Sequence, residues 1–328
     1  MRTFEFYRAA STQDAIARAA TGATYYAGGT NLLDLMKRGV EEPASLVDIG
    51  RLDLRHITTT ERGGVLIGAG TTNSAIANHH LIRSHYPVLS QAILSGATTQ
   101  LRNMATAGGN LMQRTRCAYF MDPAFPACNK RQPGSGCAAL TGFNREHALF
   151  GAGDTCAAVH PSDMAVALAI LDAVVHVESP AETRVIPIGE FFRLPHDDPQ
   201  HDNSTRPGEL ITGIELPPSP YAQNYWYLKV RDRHSYAFAL VSVAVGLAVV
   251  DETVESVSIA LGGVAAMPWR VTEAEAALTG KAPVAEHFLA AAELALEGAV
   301  PLSQNGFKVD LAKHSVMRAL HRAAARTG

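Results

Sequence analysis

Four cysteines and two Gly-Gly turns are the residues of this chain whose type and spacing could carry chemistry. The cysteines, Cys117, Cys128, Cys137 and Cys156, are the only four in 328 residues, and they follow the pattern C-x10-C-x8-C-x18-C. Threaded among them are Asp122-Pro123, Asn129-Lys130 and Gln132-Pro133-Gly134-Ser135-Gly136. Proline and glycine at that density argue against helix or central strand. Four thiols on an irregular loop predict a loop folded around something, and three arrangements compete. Two disulfides suit an oxidising compartment, but Met1-Arg2-Thr3-Phe4-Glu5-Phe6 has no apolar export-signal run behind it. Structural zinc usually takes its ligands in C-x2-4-C pairs, because one knuckle turn presents two sulfurs to a small tetrahedral ion; no such pair exists here. An iron–sulfur cluster is a larger object that takes thiolates from well-separated points of a wrapping loop, and the spacing favours it over zinc.

The first glycine turn lies in Thr24-Tyr25-Tyr26-Ala27-Gly28-Gly29-Thr30-Asn31-Leu32, and the second in Ala105-Thr106-Ala107-Gly108-Gly109-Asn110-Leu111. Strand, glycine turn, helix aims free backbone N–H groups at an anion. Neither turn matches the nucleoside-triphosphatase pattern G-x-x-x-x-G-K-[ST] or the dinucleotide pattern G-x-G-x-x-G. A lone Gly-Gly before a helix is equally a plain tight turn. Two such turns, each flanked by Thr and Asn, suit a ligand with two phosphates.

The elements that must position these groups fall into three units. Residues 1–57 read as strand, helix 11–20 capped by Ser11, strand into the first glycine turn, helix from Leu32, and a buried strand 45–49. Residues 58–177 read as a strand near 64–70, a helix capped at Thr72 and running to Leu81, a second helix over 86–97, the cysteine loop 113–158, and a helix 164–171 behind His160-Pro161-Ser162-Asp163. Asp163 there is favoured by the helix macrodipole as a cap, or it accepts from a sugar hydroxyl; His160 receives no role. Residues 178–328 read as strands at 209–216, 225–230, 237–250 and 254–261 forming an antiparallel sheet. Helices at 271–278, 284–296 and 310–325 make the unit α+β. The polar stretch 196–206 reads as a surface loop, and Lys229 is the one charge in its strand, snorkelling or facing a ligand.

Composition narrows the function. Hydrophobic residues make up 47% and charged residues 18%, and the net charge of −3 gives no reason to expect nucleic acid or an anionic membrane. The longest apolar run, 236–250, is interrupted by Ser242 and Gly246 and is too short to span a bilayer. The absence of a signal peptide predicts a cytoplasmic protein, or one exported with a signal-bearing partner.

Seven ordered stretches resemble the FAD-binding subunit of the xanthine dehydrogenase/molybdenum hydroxylase family over nearly the whole chain. They are Ala27-Gly28-Gly29-Thr30-Asn31-Leu32, Gln100-Leu101-Arg102-Asn103 through Ala107-Gly108-Gly109-Asn110-Leu111, Ser162-Asp163, Glu209-Leu210-Ile211 with Leu216-Pro217, Lys229, Ser235-Tyr236-Ala237, and Gly262-Gly263-Val264-Ala265 with Pro268. Gln113-Arg114-Thr115-Arg116-Cys117 and the run from Cys128 to Cys137 are similar to the flavoprotein subunit of bacterial periplasmic aldehyde oxidoreductases within that family, which carries an additional [4Fe-4S] cluster.

The resemblance implies an α+β fold: a two-part FAD-binding domain, vanillyl-alcohol-oxidase/PCMH-like, followed by an α+β C-terminal domain with an antiparallel sheet and helices. It implies that Tyr25, Tyr26, Ala27, Gly28, Gly29, Thr30, Asn31 and Leu32, with Thr106, Gly108, Gly109 and Asn110, surround the FAD diphosphate and flavin through backbone N–H groups. Asp163 would lie toward the ribose, Ile211 and Lys229 would line further FAD contacts, and Cys117, Cys128, Cys137 and Cys156 would ligate the cluster. The subunit would be an electron relay. Partner subunits would carry [2Fe-2S] clusters and the molybdenum cofactor that oxidises an aldehyde, and a ferredoxin-like protein, a quinone or oxygen would be the acceptor. A stand-alone flavin oxidoreductase and a non-redox zinc module are the rival expectations.

Overall fold

The computed structural model describes residues 1–196 and 198–325. The chain opens with β1 (Glu5–Arg8), α1 (Thr12–Ala20), β2 (Thr24–Tyr26), α2 (Leu32–Arg38) and β3 (Ser45–Asp48). The Ser11 side chain accepts from the Asp14 N–H and caps α1. The strands form a parallel sheet in the order β1-β3-β2, with Glu5 opposite Ser45 and Thr24 opposite Leu46. Parallel pairing needs crossovers, which α1 and α2 supply.

A second layer contains β4 (Ile57–Thr59), β5 (Val65–Gly68), α3 (Asn73–Asn78), α4 (His80–His85), α5 (Pro87–Ser95), α6 (Thr99–Met104), α7 (Ala107–Leu111), α8 (Ala118–Met121), α9 (Asp163–Ile170), β6 (Val174–Glu178), β7 (Thr183–Pro187), α10 (Ile188–Phe191) and β8 (Leu210–Leu216). The single helix expected over 72–81 is two, because His79 is extended (φ −69°, ψ 136°) and breaks it. Strands order as β4-β5-β8-β6-β7, antiparallel throughout.

The place of β8 moves a boundary. Its alternation reads as a strand, but the expected partner was the C-terminal sheet. It lies instead at the centre of the second sheet, between β5 and β6. The second unit therefore extends well past residue 178, since a strand pattern reports burial and says nothing about which edge it joins.

The third layer holds β9 (Asn224–Val230), β10 (Val241–Val250), β11 (Thr253–Gly262), β12 (Trp269–Arg270), α11 (Thr272–Leu278), α12 (Ala285–Leu294) and α13 (Phe307–Ala324), with antiparallel order β12-β11-β10-β9. One core runs from the helices of the second layer through α9 to the inner face of this sheet, and another lies between the sheet and α11–α13. Helix α9 is apolar all round; each residue from Met164 to Ile170 is buried, as expected of a helix packed on every side. That position holds Asp163, its first residue, rigidly between the two layers.

Residues 112–162, between α7 and α9, contain all four cysteines and contribute no strand to any of the three sheets. Their ends are tied where the Ser162 hydroxyl donates to Asn110 Oδ1 at 2.5 Å. The stretch 196–206 is more than a surface loop. Among its described residues (Asp197 lies outside them) Asp202 is largely buried and pairs with Lys130 and Arg114.

Candidate functional site

At the first glycine turn the chain passes from β2 into α2 beneath α6. Any side chain at Gly28 would fall on the carbonyl oxygen of Met104, and Gly29 holds φ +69°, the left-handed region. The N–H groups of Gly28, Gly29, Thr30, Asn31 and Leu32 donate to no acceptor among the described residues. Asn31 is oriented from one side: its Oδ1 accepts from the Arg114 N–H at 2.8 Å. Its Nδ2 is buried and has no partner. A run of free N–H groups and an orphaned amide at one turn is the equipment for an anion.

The second turn differs from expectation. The Ala107 and Gly108 N–H groups donate to Thr71 O and Ala69 O, both at 2.9 Å, and Asn110 N–H to Thr106 O at 2.8 Å. Gly109 N–H is capped by Thr106 Oγ1 at 3.2 Å. These N–H groups are spent on the Ala69 and Thr71 carbonyls and on the first turn of α7, so this turn is no second nest. Its glycines serve close approach: a Cβ on Gly108 would lie 3.2 Å from Ala69 Cβ and 3.7 Å from Ile211 Cβ.

Two cavities meet at the turns. One, of about 340 Å³, lies between the first two layers and is lined by Tyr25, Ala27, Gly28, Gly29, Leu32, Thr106, Gly108 and Ile211. The other, of about 500 Å³, reaches the third layer and is lined by Asn110, Asp163, Lys229 and Tyr236. Thr30, Asn31 and Gly109 belong to both. A bent dinucleotide fits this plan, with its diphosphate at the shared residues and one ring system in each cavity. Tyr26 is the exception among the expected residues. It lines neither cavity and packs edge-on against Phe6, with ring centroids 5.9 Å apart; strand alternation turns it away from its neighbour Tyr25.

Asp163 is not the cap of α9. Ser162 Oγ accepts from Ala165 N–H at 2.9 Å and caps the helix, which frees the Asp163 carboxylate. Its Oδ1 accepts from Tyr227 OH at 2.6 Å and its Oδ2 from Lys229 Nζ at 2.7 Å. Burial, and then the neighbouring Asp163 charge, push the Tyr227 phenol well above its ordinary range, so it remains a donor. Asp163 and Lys229 thus form a buried pair in the wall of the larger cavity. Tyr227 was not singled out in the sequence, where its partner 64 residues away leaves no local mark.

The cysteines lie near one another. Cys128 and Cys137 are partners in an antiparallel bridge, and Asn129 braces the turn between them, accepting from Gly136 N–H at 2.8 Å and donating to Thr155 O at 2.9 Å. The neighbouring Cys156 holds the Cys137 thiol below its ordinary value and is itself raised by Cys137. Burial pushes Cys117 up to about 11. All four are free thiols. Among the described residues no three His, Cys, Asp or Glu side chains close on a metal-ion site. A metal centre needs such closure, zinc with Zn–S of about 2.3 Å most strictly, so this arrangement lends no support to the zinc module or to the expected [4Fe-4S] ligand set.

The loop is pinned by charge. Lys130 Nζ donates to Pro199 O at 2.8 Å and pairs with Asp202, whose other oxygen takes Arg114 Nε at 2.6 Å. Burial alone would raise Asp202, but Lys130 and Arg114 outweigh it and the carboxyl sits below its ordinary value. Arg114 therefore touches both sites, through Asn31 on one side and Asp202 on the other. A small cavity of about 110 Å³ separates Cys117 from Asp163, with His147 and His160 in its wall. Arg114, Asp202 and His147 had no sequence signal of their own, since each acts through distant partners.

The description "FAD binding domain in molybdopterin dehydrogenase" matches residues 2–219, and "CO dehydrogenase flavoprotein C-terminal domain" matches residues 226–323. The chain belongs to the FAD-binding medium subunits of the xanthine dehydrogenase/CO dehydrogenase family. The junction between the two matches lies just past β8, in keeping with its place in the second sheet. Among curated relatives, the aldehyde oxidoreductase FAD-binding subunit PaoB of Escherichia coli K12 is 46% identical over 330 residues, covering 99% of this chain and all of the relative. The glyceraldehyde dehydrogenase medium chain of Sulfolobus acidocaldarius is 28% identical over 85% of this chain and 82% of its own. Among solved structures, CO dehydrogenase from Oligotropha carboxidovorans superposes with a TM-score of 0.79 at 24% identity over 99% of both chains, a likeness of fold. The FAD-binding domain and the α+β C-terminal domain of the family are both present, and the chain is a subunit of an oxidoreductase.

Proposed function

We propose that this medium subunit is the electron relay of a molybdenum-containing aldehyde oxidoreductase, holding FAD across the two joined cavities and a [4Fe-4S] cluster on Cys117, Cys128, Cys137 and Cys156. The observation that carries this reading is the gathering of all four cysteines on one loop, with Cys128 and Cys137 in a backbone bridge and Cys117 in the wall of a small void that it shares with Asp163. The full-length likeness to an aldehyde oxidoreductase subunit supports the substrate class. Electrons would arrive from the [2Fe-2S] clusters of a small subunit, fed by a molybdenum-bearing large subunit, and leave to an external acceptor such as a ferredoxin-like protein, a quinone or oxygen.

Bound FAD supplies the exchange between two-electron and one-electron steps. The chain's residues bind and orient. The N–H groups from Gly28 to Leu32 and Asn31 Nδ2 meet the diphosphate charge, Gly108 and Ile211 form the floor of the smaller cavity, and the Asp163–Lys229 pair closes the wall of the larger one with no net charge. Lys130, held by Asp202, places an ammonium beside the thiolate cage.

No helix among the described residues is long and apolar enough to cross a membrane. We place the complex in the cytoplasm, or in the periplasm by export with a signal-bearing partner, which cell fractionation tests. The central experiment is iron, sulfide and flavin analysis of the purified complex with and without Cys128→Ser. The variant should lose about four iron per complex and retain FAD. Unchanged iron would sink the cluster assignment, and bleaching of the isolated subunit by aldehyde would sink the relay role.

A further inference from the structure

Four aromatic side chains project into solvent around the mouth of the larger cavity. Phe143 is 62% exposed, Tyr236 56%, Phe238 50% and Phe307 41%. They come from three distant parts of the chain: the cysteine loop, the β9–β10 connection and the first residue of α13. Tyr236 and Phe238 line the larger cavity, and Phe143 shares the wall of the small void with Phe238. Phe307 is joined to them through Arg145, which stacks on its ring at 5.1 Å and grips Asp232 at 2.7 and 2.9 Å. Arg116 and Arg233 cover Phe238 and Tyr236 in the same manner, at 5.1 and 5.7 Å. A single exposed ring is ordinary, but four converging from separate segments make a patch that marks a binding surface.

The patch is pre-set. The Phe143 N–H donates to Tyr119 OH at 2.6 Å, and Arg231 Nη1 donates to Ser95 O at 3.0 Å. The Arg145–Asp232 pair ties the cysteine loop to the β9–β10 connection. A partner landing there orders little that is not already ordered. Aromatic rings and arginines are also the side chains that carry most of the energy of protein–protein contacts.

Charge then narrows the partner. Outside the neutral Asp163–Lys229 pair, Arg102, Arg116, Arg145, Arg231 and Arg233 stand at the mouth against three carboxylates, Asp34, Glu146 and Asp232. The rim is therefore positive on a chain whose net charge is −3. Among the described residues, Arg116, Arg231 and Arg233 donate to backbone carbonyls alone. Guanidinium N–H groups are left over for carboxylates from outside.

We propose that this aromatic, arginine-rich rim is the docking surface for a small acidic redox protein that collects electrons at the mouth of the larger cavity. The inference rests on the relay reading above and names the class of acceptor and its seat. A quinone or oxygen would need only the cavity, and neither would use rings held outside it. Each aldehyde oxidised delivers two electrons, and a one-electron carrier leaves with one. Two dockings discharge the relay, and the protons go to solvent. Positive charge around the seat speeds the encounter of an acidic carrier.

The test uses the purified complex and, as probe, an acidic [2Fe-2S] ferredoxin. Isothermal titration calorimetry measures its binding to wild type, Phe143→Ala, Phe307→Ala and Arg145→Ala. Flavin content and aldehyde-dependent ferricyanide reduction are measured on the same samples. Wild type should bind at low salt and weaken about tenfold or more at high salt. Each variant should bind about tenfold more weakly, with FAD content and ferricyanide turnover at wild-type values. Absence of wild-type binding at low salt, or equal dissociation constants in wild type and all three variants, would overturn the proposal. Loss of a partner subunit from the variants on gel filtration would overturn it too, by making the rim an interface within the complex. Wild type without FAD, or bleaching of the isolated subunit by aldehyde, would instead overturn the relay reading. Should no variant fold, hydrogen exchange of the wild-type complex with and without the ferredoxin decides. Slowed exchange at 141–146 and 231–238 upholds the seat, and slowing confined to other segments rejects it.

Discussion

The N–H of Arg114 donates to Asn31 Oδ1 at 2.8 Å, across 83 residues of sequence. The bond fixes which way the Asn31 amide points: the oxygen is taken by the chain, and the nitrogen is presented, unpartnered, at the residues shared by the two cavities. Arg114 then grips Asp202 and Glu41 with its guanidinium. The first glycine turn and the cysteine loop are thus joined through one residue.

Replacing Asn31 by alanine should weaken FAD binding by about tenfold to a hundredfold. A hydrogen bond to a charged partner contributes about 1.5–3 kcal/mol, and each 1.4 kcal/mol is tenfold. Titration of FAD-free protein followed by flavin fluorescence measures it. An unchanged dissociation constant would mean that the amide faces something other than the ligand.

Gly28→Ala should abolish FAD retention and lower stability by several kcal/mol, because the new methyl would land on the Met104 carbonyl, which is backbone and cannot turn aside. Gly189→Ala is the control, with nothing within 4 Å of its Cβ position. Flavin content and melting temperature should separate the two variants cleanly.

Lys229→Met should destabilise by about 3–5 kcal/mol, because it strands the Asp163 carboxylate in a site where the pair is only 4% and 10% exposed. Adding Asp163→Asn should recover part of the loss rather than deepen it. Denaturant unfolding of the single and double variants gives the coupling. Strict additivity would show that the two do not act as a pair.

Acid should weaken the fold before carboxylates titrate. Burial holds His160 near 4, and burial with the Lys308 charge holds His147 near 4, while an unfolded chain protonates histidine near 6.5. Between those values the unfolded state binds more protons, so stability is full above about 6.5 and falls as pH drops toward 4. His160→Asn, neutral throughout, should flatten the melting-temperature slope between pH 6.5 and 5. A slope identical to wild type would place the acid sensitivity elsewhere.

Local chemistry was legible in the sequence wherever it acts within a few residues. Ser11 and Thr72 cap their helices as their residue types imply, and the first glycine turn leads into a helix with its N–H groups free. What failed depended on partners far along the chain. Residues 209–216 read as a strand, but nothing in their pattern names β5 and β6 as neighbours. The second Gly-Gly turn looks like the first, yet carbonyls from Ala69 and Thr71 consume its N–H groups. Asp202 sits in a polar run that reads as solvent-facing, and only the fold brings Lys130 and Arg114 to it.

The clasp between Ser162 and Asn110 brings the two ends of the thiol-bearing segment together, so no sheet register depends on its length. Its middle is nonetheless sewn into the third layer: the Leu149 and Phe150 N–H groups donate to the Val264 carbonyl, and both side chains lie in the core between the sheet and α11–α13. Substitutions at that seam would disturb the C-terminal sheet as well as the loop.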